Sequence, residues 1–152
     1  MKRAYQTILS VFYVRYRPLQ KLNDTYGHQT GDQVLRLVGH ALKSNVKGRD
    51  LAARYGGEEF AIVLPQTELA DALTLAEQIR LAIMNKELVK KSTGEKLGRI
   101  TVSIGAALYK SDETIEEIIN RADGCLYAAK RAGRNQVKSE KDADVTPLAD
   151  SA

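Results

Sequence analysis

The chain has little of what extracellular and membrane proteins need. Among its 152 residues there is a single cysteine, Cys125, and there is no tryptophan. One cysteine cannot form an intrachain disulfide, so a disulfide-stabilised scaffold is excluded and a reducing compartment is expected. No apolar run approaches the roughly 20 residues of a membrane span, and the apolar stretch near the start is too short for a secretory signal. The sequence therefore predicts a cytoplasmic protein with no membrane segment.

Charge is distributed unevenly along the chain. The formal net charge is +4, but the last fourteen residues carry −3, and the body from Met1 to Lys138, with 22 basic and 15 acidic side chains, carries +7. A basic body suits a phosphate-rich partner, and both a nucleotide and a nucleic acid meet this description. The length fits one compact domain, predicted to span residues 1–138. Residues 139–152 are expected to form a disordered acidic tail.

The pattern of apolar residues predicts alternating strands and helices. Strands are expected at residues 8–14, 51–55, 60–64, 99–108 and 135–138, and helices at 31–47, 67–86 and 111–132. This order predicts an α/β (α+β) fold with helices packed on a sheet in a split βαβ arrangement. Gly105 interrupts a strand, which indicates a close approach of another backbone. Gly133 is predicted to end the last helix, and Cys125 on its inward stripe is predicted to be core.

Two glycines and two acids separate the second and third predicted strands, in the run Arg54-Tyr55-Gly56-Gly57-Glu58-Glu59-Phe60. A Gly-Gly pair permits a tight turn and lets a ligand contact the main chain. Neighbouring side chains of an extended chain point to opposite sides. One of Glu58 and Glu59 could therefore bind a divalent metal while the other faces a reacting group. Spacing alone favours an ordinary hairpin with solvated acids.

Two further segments offer groups that suit a nucleotide. Asn23 and Asp32 supply an amide and a carboxylate that fit the edge of a guanine, although helix caps and turns use the same residues. Lys130 and Arg134 lie one helical turn apart and fit phosphate oxygens, although cations at a helix C-terminus are favourable in any case. Tyr127, in the same segment, is expected to pack rather than to stack on a base.

Taken together, the segments resemble the GGDEF family of diguanylate cyclases. The matching runs are Gly56-Gly57-Glu58-Glu59-Phe60, Asn23-Asp24-Thr25-Tyr26-Gly27-His28, Gly31-Asp32, Thr101-Val102-Ser103-Ile104-Gly105 and Ala129-Lys130-Arg131-Ala132-Gly133-Arg134-Asn135. The resemblance covers about Leu9 to Lys138. It implies a nucleotidyl-cyclase fold: a central, mainly antiparallel sheet flanked by helices, with ferredoxin-like split βαβ architecture. Family members join two GTP into cyclic di-GMP, releasing two pyrophosphates, in a homodimer whose subunits each present one GTP.

The resemblance also implies a role for each candidate binding residue. Asn23 and Asp32 would recognise guanine, and Gly56-Gly57 would let the main chain lie against the nucleotide. Lys130 and Arg134 would hold the triphosphate. The implied partners are GTP and a second copy of the chain, without nucleic acid, because each site holds half of the reaction.

Two acids carry the chemistry that the resemblance implies. Glu58 would bind Mg²⁺ (or Mn²⁺), and Glu59 would assist at the metal or at the attacking 3′-hydroxyl. The reaction would be an in-line attack of that hydroxyl on an α-phosphate, with metal ions neutralising charge on the attacking and leaving oxygens.

One segment departs from the family pattern. The first strand of the family ends in an Asp-Ile-Asp-like run, whose first Asp binds metal, and a phosphate-contacting Lys follows. Here those places hold Arg15-Tyr16-Arg17 and Gln20. A cation cannot ligate Mg²⁺, and Arg15 would neutralise Glu58, so only the Tyr16 carbonyl would remain to complete a weak site. The chain as written is expected to have little or no cyclase activity. A catalytically silent module that binds GTP or a partner is therefore the alternative.

The genetic code offers a second interpretation of this segment. Val14 to Gln20 can be written GTT CGA TAT CGA CCA CTT CAA. Read from the second base, with the first A of the Lys21 codon, the same bases encode Phe-Asp-Ile-Asp-His-Phe-Lys. All seven residues match the family in register, and the original frame resumes at Lys21. A compensated pair of frameshifts, in the gene or in its reading, would therefore explain Arg15 and Arg17.

Two other departures concern regulation. Few residues precede the first strand, where the family carries a further helix and an Asp-Pro-Leu-Thr-Gly-like turn, so the chain is expected to be a fragment without its N-terminal sensory domain. The family's Arg-x-x-Asp product site reads Lys47-Gly48-Arg49-Asp50 here. Lys cannot give the planar two-pronged contact of Arg. Product inhibition through Lys47 and Asp50 is therefore expected to be weak, unless Arg49 substitutes in part.

Overall fold

The computed structural model describes residues 7–15, 28–46, 51–56, 59–89, 92–142 and 145. In chain order the elements are β1 (Thr7–Arg15), α1 (His28–Asn45), β2 (Leu51–Gly56), β3 (Glu59–Leu64), α2 (Leu69–Met84), β4 (Glu87–Val89), β5 (Lys96–Leu108), α3 (Ile115–Arg131) and β6 (Val137–Ser139). The predicted strands and helices are all present, with ends shifted by a few residues. β4 was not predicted, because three residues are too few for a periodic pattern.

The strands form one mixed sheet in the order β2-β3-β1-β5-β4. These neighbours are antiparallel, whereas β6 runs parallel to β5. The mainly antiparallel sheet flanked by helices that was predicted is therefore confirmed. β1 is central: Phe12 pairs with Glu59 of β3, and Arg15 pairs with Ile100 of β5. The β2–β3 hairpin and the last residues of β1 consequently lie at the same end of the sheet.

The two faces of the sheet are covered by different helices. On β3 the residues at 60, 62 and 64 are buried, and they share one core with β5, α1 and α2. The residue between two such positions points to the opposite face. There Ala107 of β5 packs with Ile118 and Ala122 of α3. The sheet is therefore a middle layer, with α1 and α2 on one side and α3 on the other.

Gly105 is where α3 rests on the sheet. A Cβ atom at Gly105 would lie 2.2 Å from the main-chain oxygen of Ala122 and 2.2 Å from the main-chain nitrogen of Leu126. The close backbone approach predicted at this glycine is thus confirmed. Cys125, on the same stretch of α3, is buried as predicted, and burial raises the pKa of its thiol to about 12.

The chain beyond β6 begins as part of the fold. Ser139 belongs to β6 and is buried. The Glu140 carboxylate forms an ion pair with Arg121 and accepts a hydrogen bond from the Leu108 amide at 3.4 Å. Ser139 and Glu140, which were predicted to belong to the tail, thus contact the fold. Within the described ranges, no helix has both the length and the apolar character needed to cross a membrane.

Candidate nucleotide-binding site

The β2–β3 hairpin brings the glycine-rich run to the edge of the candidate site. Gly56 pairs with Glu59, and the register shifts between Arg54 and Gly56, as at a β-bulge. The hairpin predicted from the glycine pair is confirmed. Because Glu59 also pairs with Phe12, three residues before the end of β1 at Arg15, the hairpin flanks the last residues of the central strand.

The C-terminal turn of α3 lies beside this hairpin. Lys130 Nζ is 3.8 Å from Glu59 Oε1, and both side chains are partly exposed. An ion pair of this length and exposure contributes less than about 1 kcal/mol. The Glu59 carboxylate therefore holds Lys130 only weakly. Two segments that are 71 positions apart in the sequence are thus joined in one site.

Arg134 lies just past the end of α3, in a left-handed turn. The φ angles of Gly133, Arg134 and Asn135 are +117°, +65° and +49°. The Arg134 amide donates to Ala129 O at 2.9 Å, and the Gly133 amide donates to Lys130 O at 3.3 Å. Gly133 therefore ends the helix as predicted. Arg134 is not on the same helical face as Lys130, because the backbone has changed hand between them.

Asn135 fastens this turn to the rest of the fold. Its amide donates to Ser103 Oγ of β5 at 3.1 Å. Its Oδ1 accepts from Arg80 of α2 at 3.1 Å, and its carbonyl oxygen accepts from the same guanidinium at 3.4 Å. Arg80 was not predicted as a site residue. It is 55 positions from Asn135, and no local pattern marks it.

Glu77 holds the Arg80 side chain in place. The Arg80 Nε donates to Glu77 Oε1 at 2.9 Å within α2. The hydrogen bond from Arg80 lowers the pKa of the Glu77 carboxyl, against the opposing effect of burial. Glu77 therefore stays ionised across the neutral pH range and fixes the guanidinium that reaches Asn135.

Two other predictions are corrected. α1 begins at His28 rather than at Gly31, so Asp32 lies in the second turn of the helix and not in the first. Tyr127, which was expected to pack, is 58% exposed, and the Arg131 guanidinium stands 5.8 Å from the centre of its ring. Other predicted site residues lie outside the described part of the chain: Tyr16, Arg17, Gln20, Asn23, Lys47, Arg49, Asp50, Gly57 and Glu58.

The described residues do not fit a divalent metal ion. Such an ion needs several oxygen ligands, with carboxylates among them. No group of three or more His, Cys, Asp or Glu side chains able to hold a metal occurs in the parts of the chain that the structure describes. Glu59 faces Lys130, and β1 ends in Arg15, a cation that cannot be a ligand. The predicted metal-binding residues Glu58 and Tyr16 lie outside these parts of the chain.

Comparison with known proteins gives the family to which the chain belongs. The family profile described as "Diguanylate cyclase, GGDEF domain" matches residues 1–136. Diguanylate cyclase DosC from Escherichia coli K12 is 42% identical over 132 residues, which are 87% of this chain and 28% of that protein. This chain therefore spans less than a third of the length of that relative.

Solved structures give the same result. The GGDEF domain of DgcB from Caulobacter crescentus, in complex with c-di-GMP, matches with a TM-score of 0.83 and 39% identity, over 91% of this chain and 80% of that chain. The active GGEEF domain of a diguanylate cyclase from Vibrio cholerae matches with a TM-score of 0.77 and 31% identity, over 93% of this chain and 86% of that chain.

Proposed function

The chain belongs to the GGDEF family of diguanylate cyclases, and we propose that it is the GTP-binding domain of a protein that makes cyclic di-GMP. The contact between Glu59 and Lys130 is the observation that carries this proposal, because it joins the signature hairpin to the segment proposed to bind phosphate. A second support is the neighbour from Vibrio cholerae, which is active with a Glu at the place of Glu58.

In this proposal each part of GTP meets a different part of the fold. Asn23 and Asp32 recognise the guanine base, and the main chain at Gly56-Gly57 contacts the nucleotide. Lys130 and Arg134 hold the phosphates as point-charge and planar donors respectively. Lys130 gives up its weak contact with Glu59 when a phosphate arrives. One domain presents one GTP, so joining two nucleotides requires a two-fold homodimer.

A catalytically silent, GTP-binding module is the second candidate for the chain as written. Diguanylate cyclases of this family generally use divalent metal ions, and Mg²⁺ or Mn²⁺ is the ion that we propose for an intact site. The observation in favour of the silent module is that β1 ends in Arg15, a cation, beside the hairpin. We therefore propose that GTP binding is retained and that cyclic di-GMP synthesis is impaired by the segment from Arg15 to Gln20.

The test is the combined substitution Arg15→Asp, Arg17→Asp and Gln20→Lys. Purified protein is incubated with GTP and Mg²⁺, and cyclic di-GMP is measured by chromatography. We expect a gain on the order of 100-fold or more, since metal ions stabilise transition-state charge by several kcal/mol. A matched control, Arg36→Asp with Lys43→Gln, changes the net charge equally at exposed positions of α1 and should gain nothing.

Two outcomes separate the candidates. A triple variant that folds and binds GTP but makes no product would show that the segment from Arg15 to Gln20 is not the whole cause of the lost activity. Sequencing the DNA across codons 14 to 21 separates a real segment from a compensated frameshift. Codons that cannot yield Phe-Asp-Ile-Asp-His-Phe-Lys in the shifted frame would end the frameshift interpretation.

A further inference from the structure

The turn after α3 holds a backbone conformation that the sequence disfavours. Gly133 adopts a φ of +117° without difficulty, but Arg134 at +65° and Asn135 at +49° are not glycine. A left-handed residue other than glycine costs roughly 1–2 kcal/mol, and asparagine tolerates this region better than arginine does. Two such residues in succession, Arg134 and Asn135, persist only where the surroundings hold them.

Most of the hydrogen bonds that hold the turn are made with the neighbouring residues of β5 and α3. Asn135 donates to Ser103 Oγ, and the Ile104 amide donates to Gln136 O at 3.0 Å. These bonds fix the main chain where it enters β6. They do not restrain the carbonyl oxygen or the side-chain oxygen of Asn135.

Arg80 supplies those two restraints from α2. One guanidinium nitrogen reaches both Oδ1 and the main-chain oxygen of Asn135, at 3.1 and 3.4 Å. The Arg80 side chain is only 16% exposed, and Glu77 orients it by a hydrogen bond and an ion pair within the same helix. A largely buried, pre-oriented guanidinium on a carbonyl is a strong restraint because the hydrogen bond is charge-assisted.

We propose that Arg80 is a positioning residue for nucleotide binding: it locks the left-handed turn at Gly133–Asn135 and thereby sets the direction of Arg134 toward the phosphates. This inference rests on the proposed function, in which Arg134 contacts the triphosphate. Arg80 itself does not touch the nucleotide. Its loss should weaken binding of the terminal phosphates and leave recognition of guanine unchanged.

The experiment measures GTP and GMP affinity, in the presence of Mg²⁺, by isothermal titration calorimetry. Arg80→Ala is expected to weaken GTP binding roughly tenfold and to change GMP binding less than about twofold, because the contact affected is a charged hydrogen bond to outer phosphates. Arg80→Lys, which keeps the charge and one donor, should recover part of the loss. A merely structural role would weaken both nucleotides together.

Arg99→Ala is the matched control. Arg99 also reaches the end of α2, where its guanidinium donates to Met84 O at 3.1 Å, but it is exposed. The same charge is removed near the same helix end, so the ratio of GTP to GMP affinity should stay as in the wild type.

A double-mutant cycle tests the route through Arg134. If Arg80 acts by positioning Arg134, then Arg80→Ala should have little further effect in an Arg134→Ala background. If the losses of GTP affinity in the two single variants add up in the double variant, the inference is overturned. It is also overturned if Arg134→Ala weakens GTP binding but Arg80→Ala binds GTP as tightly as the wild type. Wild-type protein that binds no GTP would instead overturn the proposed function, and the inference with it.

A second variant covers the case in which Arg80→Ala does not fold. Asn135→Gly introduces a residue for which positive φ is unstrained. It removes the Oδ1 acceptor of Arg80 and the Nδ2 donor to Met84 Sδ, and it keeps the main-chain oxygen that Arg80 also contacts. A GTP-specific loss that disappears in the Arg134→Ala background is expected. Unchanged GTP affinity in Asn135→Gly would count against the inference.

Discussion

Replacing Gly105 by alanine tests the closest contact in the fold. The new Cβ would lie 2.2 Å from two main-chain atoms of α3, Ala122 O and Leu126 N, and 2.9 Å from Cys125 C. Ordinary van der Waals contact begins at 3.4 Å, so the distance deficit is about 1.2 Å and the helix must move by a similar amount. Main-chain atoms cannot rotate away as a side chain would.

The strand cannot recede from the helix either. Gly105 is paired with Ser10 of β1 on one side and with Lys138 of β6 on the other. α3 must therefore lift off the sheet and lose packing around buried Ala122 and Leu126. Overpacking of a core costs about 1–3 kcal/mol, and a clash between backbones belongs at the top of that range. Against a total stability of about 5–15 kcal/mol, a loss of this size is large.

Urea denaturation followed by circular dichroism measures this loss as a fall in the free energy of unfolding. Gly39→Ala is the matched control. Gly39 lies inside α1, and a Cβ there would meet nothing within 4 Å. The control should gain about 0.5–1 kcal/mol, because alanine is the better helix former. If the free energy of unfolding of Gly105→Ala lies within about 0.5 kcal/mol of the wild-type value, α3 does not rest on this glycine and the prediction is wrong.

Two further predictions concern buried titratable groups. Burial raises the pKa of the Glu113 carboxyl, but hydrogen bonds from Arg121 and from the Lys110 amide outweigh burial and leave the pKa below its usual 4.5. A carboxyl whose pKa is lower in the folded than in the unfolded protein stabilises the fold at pH values above its unfolded-state pKa. This stabilisation is lost as the pH falls through the folded-state pKa. The free energy of unfolding should therefore decrease as the pH is lowered below about 4.5. Glu113→Gln should make this decrease smaller, whereas Glu116→Gln, at an exposed position, should not change it. Cys125 is 1% exposed, and the pKa of its thiol is raised to about 12. A thiol reagent at pH 8 should therefore label Cys125 only after denaturant is added. Rapid labelling of the folded protein would contradict its burial.

Local patterns were enough to predict most elements of the fold. The alternation along β3 and the apolar stripe of α2 follow from the periods of a strand and a helix, which depend only on nearby residues. Gly105 shows how far such reasoning extends. A glycine inside a strand indicated that some backbone approaches there, but the sequence could not say that the partner is α3.

The candidate site was predictable only in part, because its residues come from distant parts of the chain. Lys130 and Arg134 were expected to share a helical face, and the left-handed turn at Gly133 separates them instead. Arg80 carries no local signal, since its role depends on a hydrogen bond across 55 positions. Glu140 was predicted to lie in a disordered acidic tail, but its carboxylate forms an ion pair with Arg121.

The sequence by itself determined the family, the order of strands and helices and the residue types that suit a guanine nucleotide, because these depend on composition, periodicity and short motifs. It also predicts that a cation, Arg15, stands where the family has a carboxylate. Tertiary structure decided which of these residues meet. Contacts between distant residues depend on the position of whole elements rather than on their local sequence. The ion pair between Glu59 and Lys130 and the hydrogen bond from Arg80 to Asn135 therefore form only when the sheet and its helices have packed.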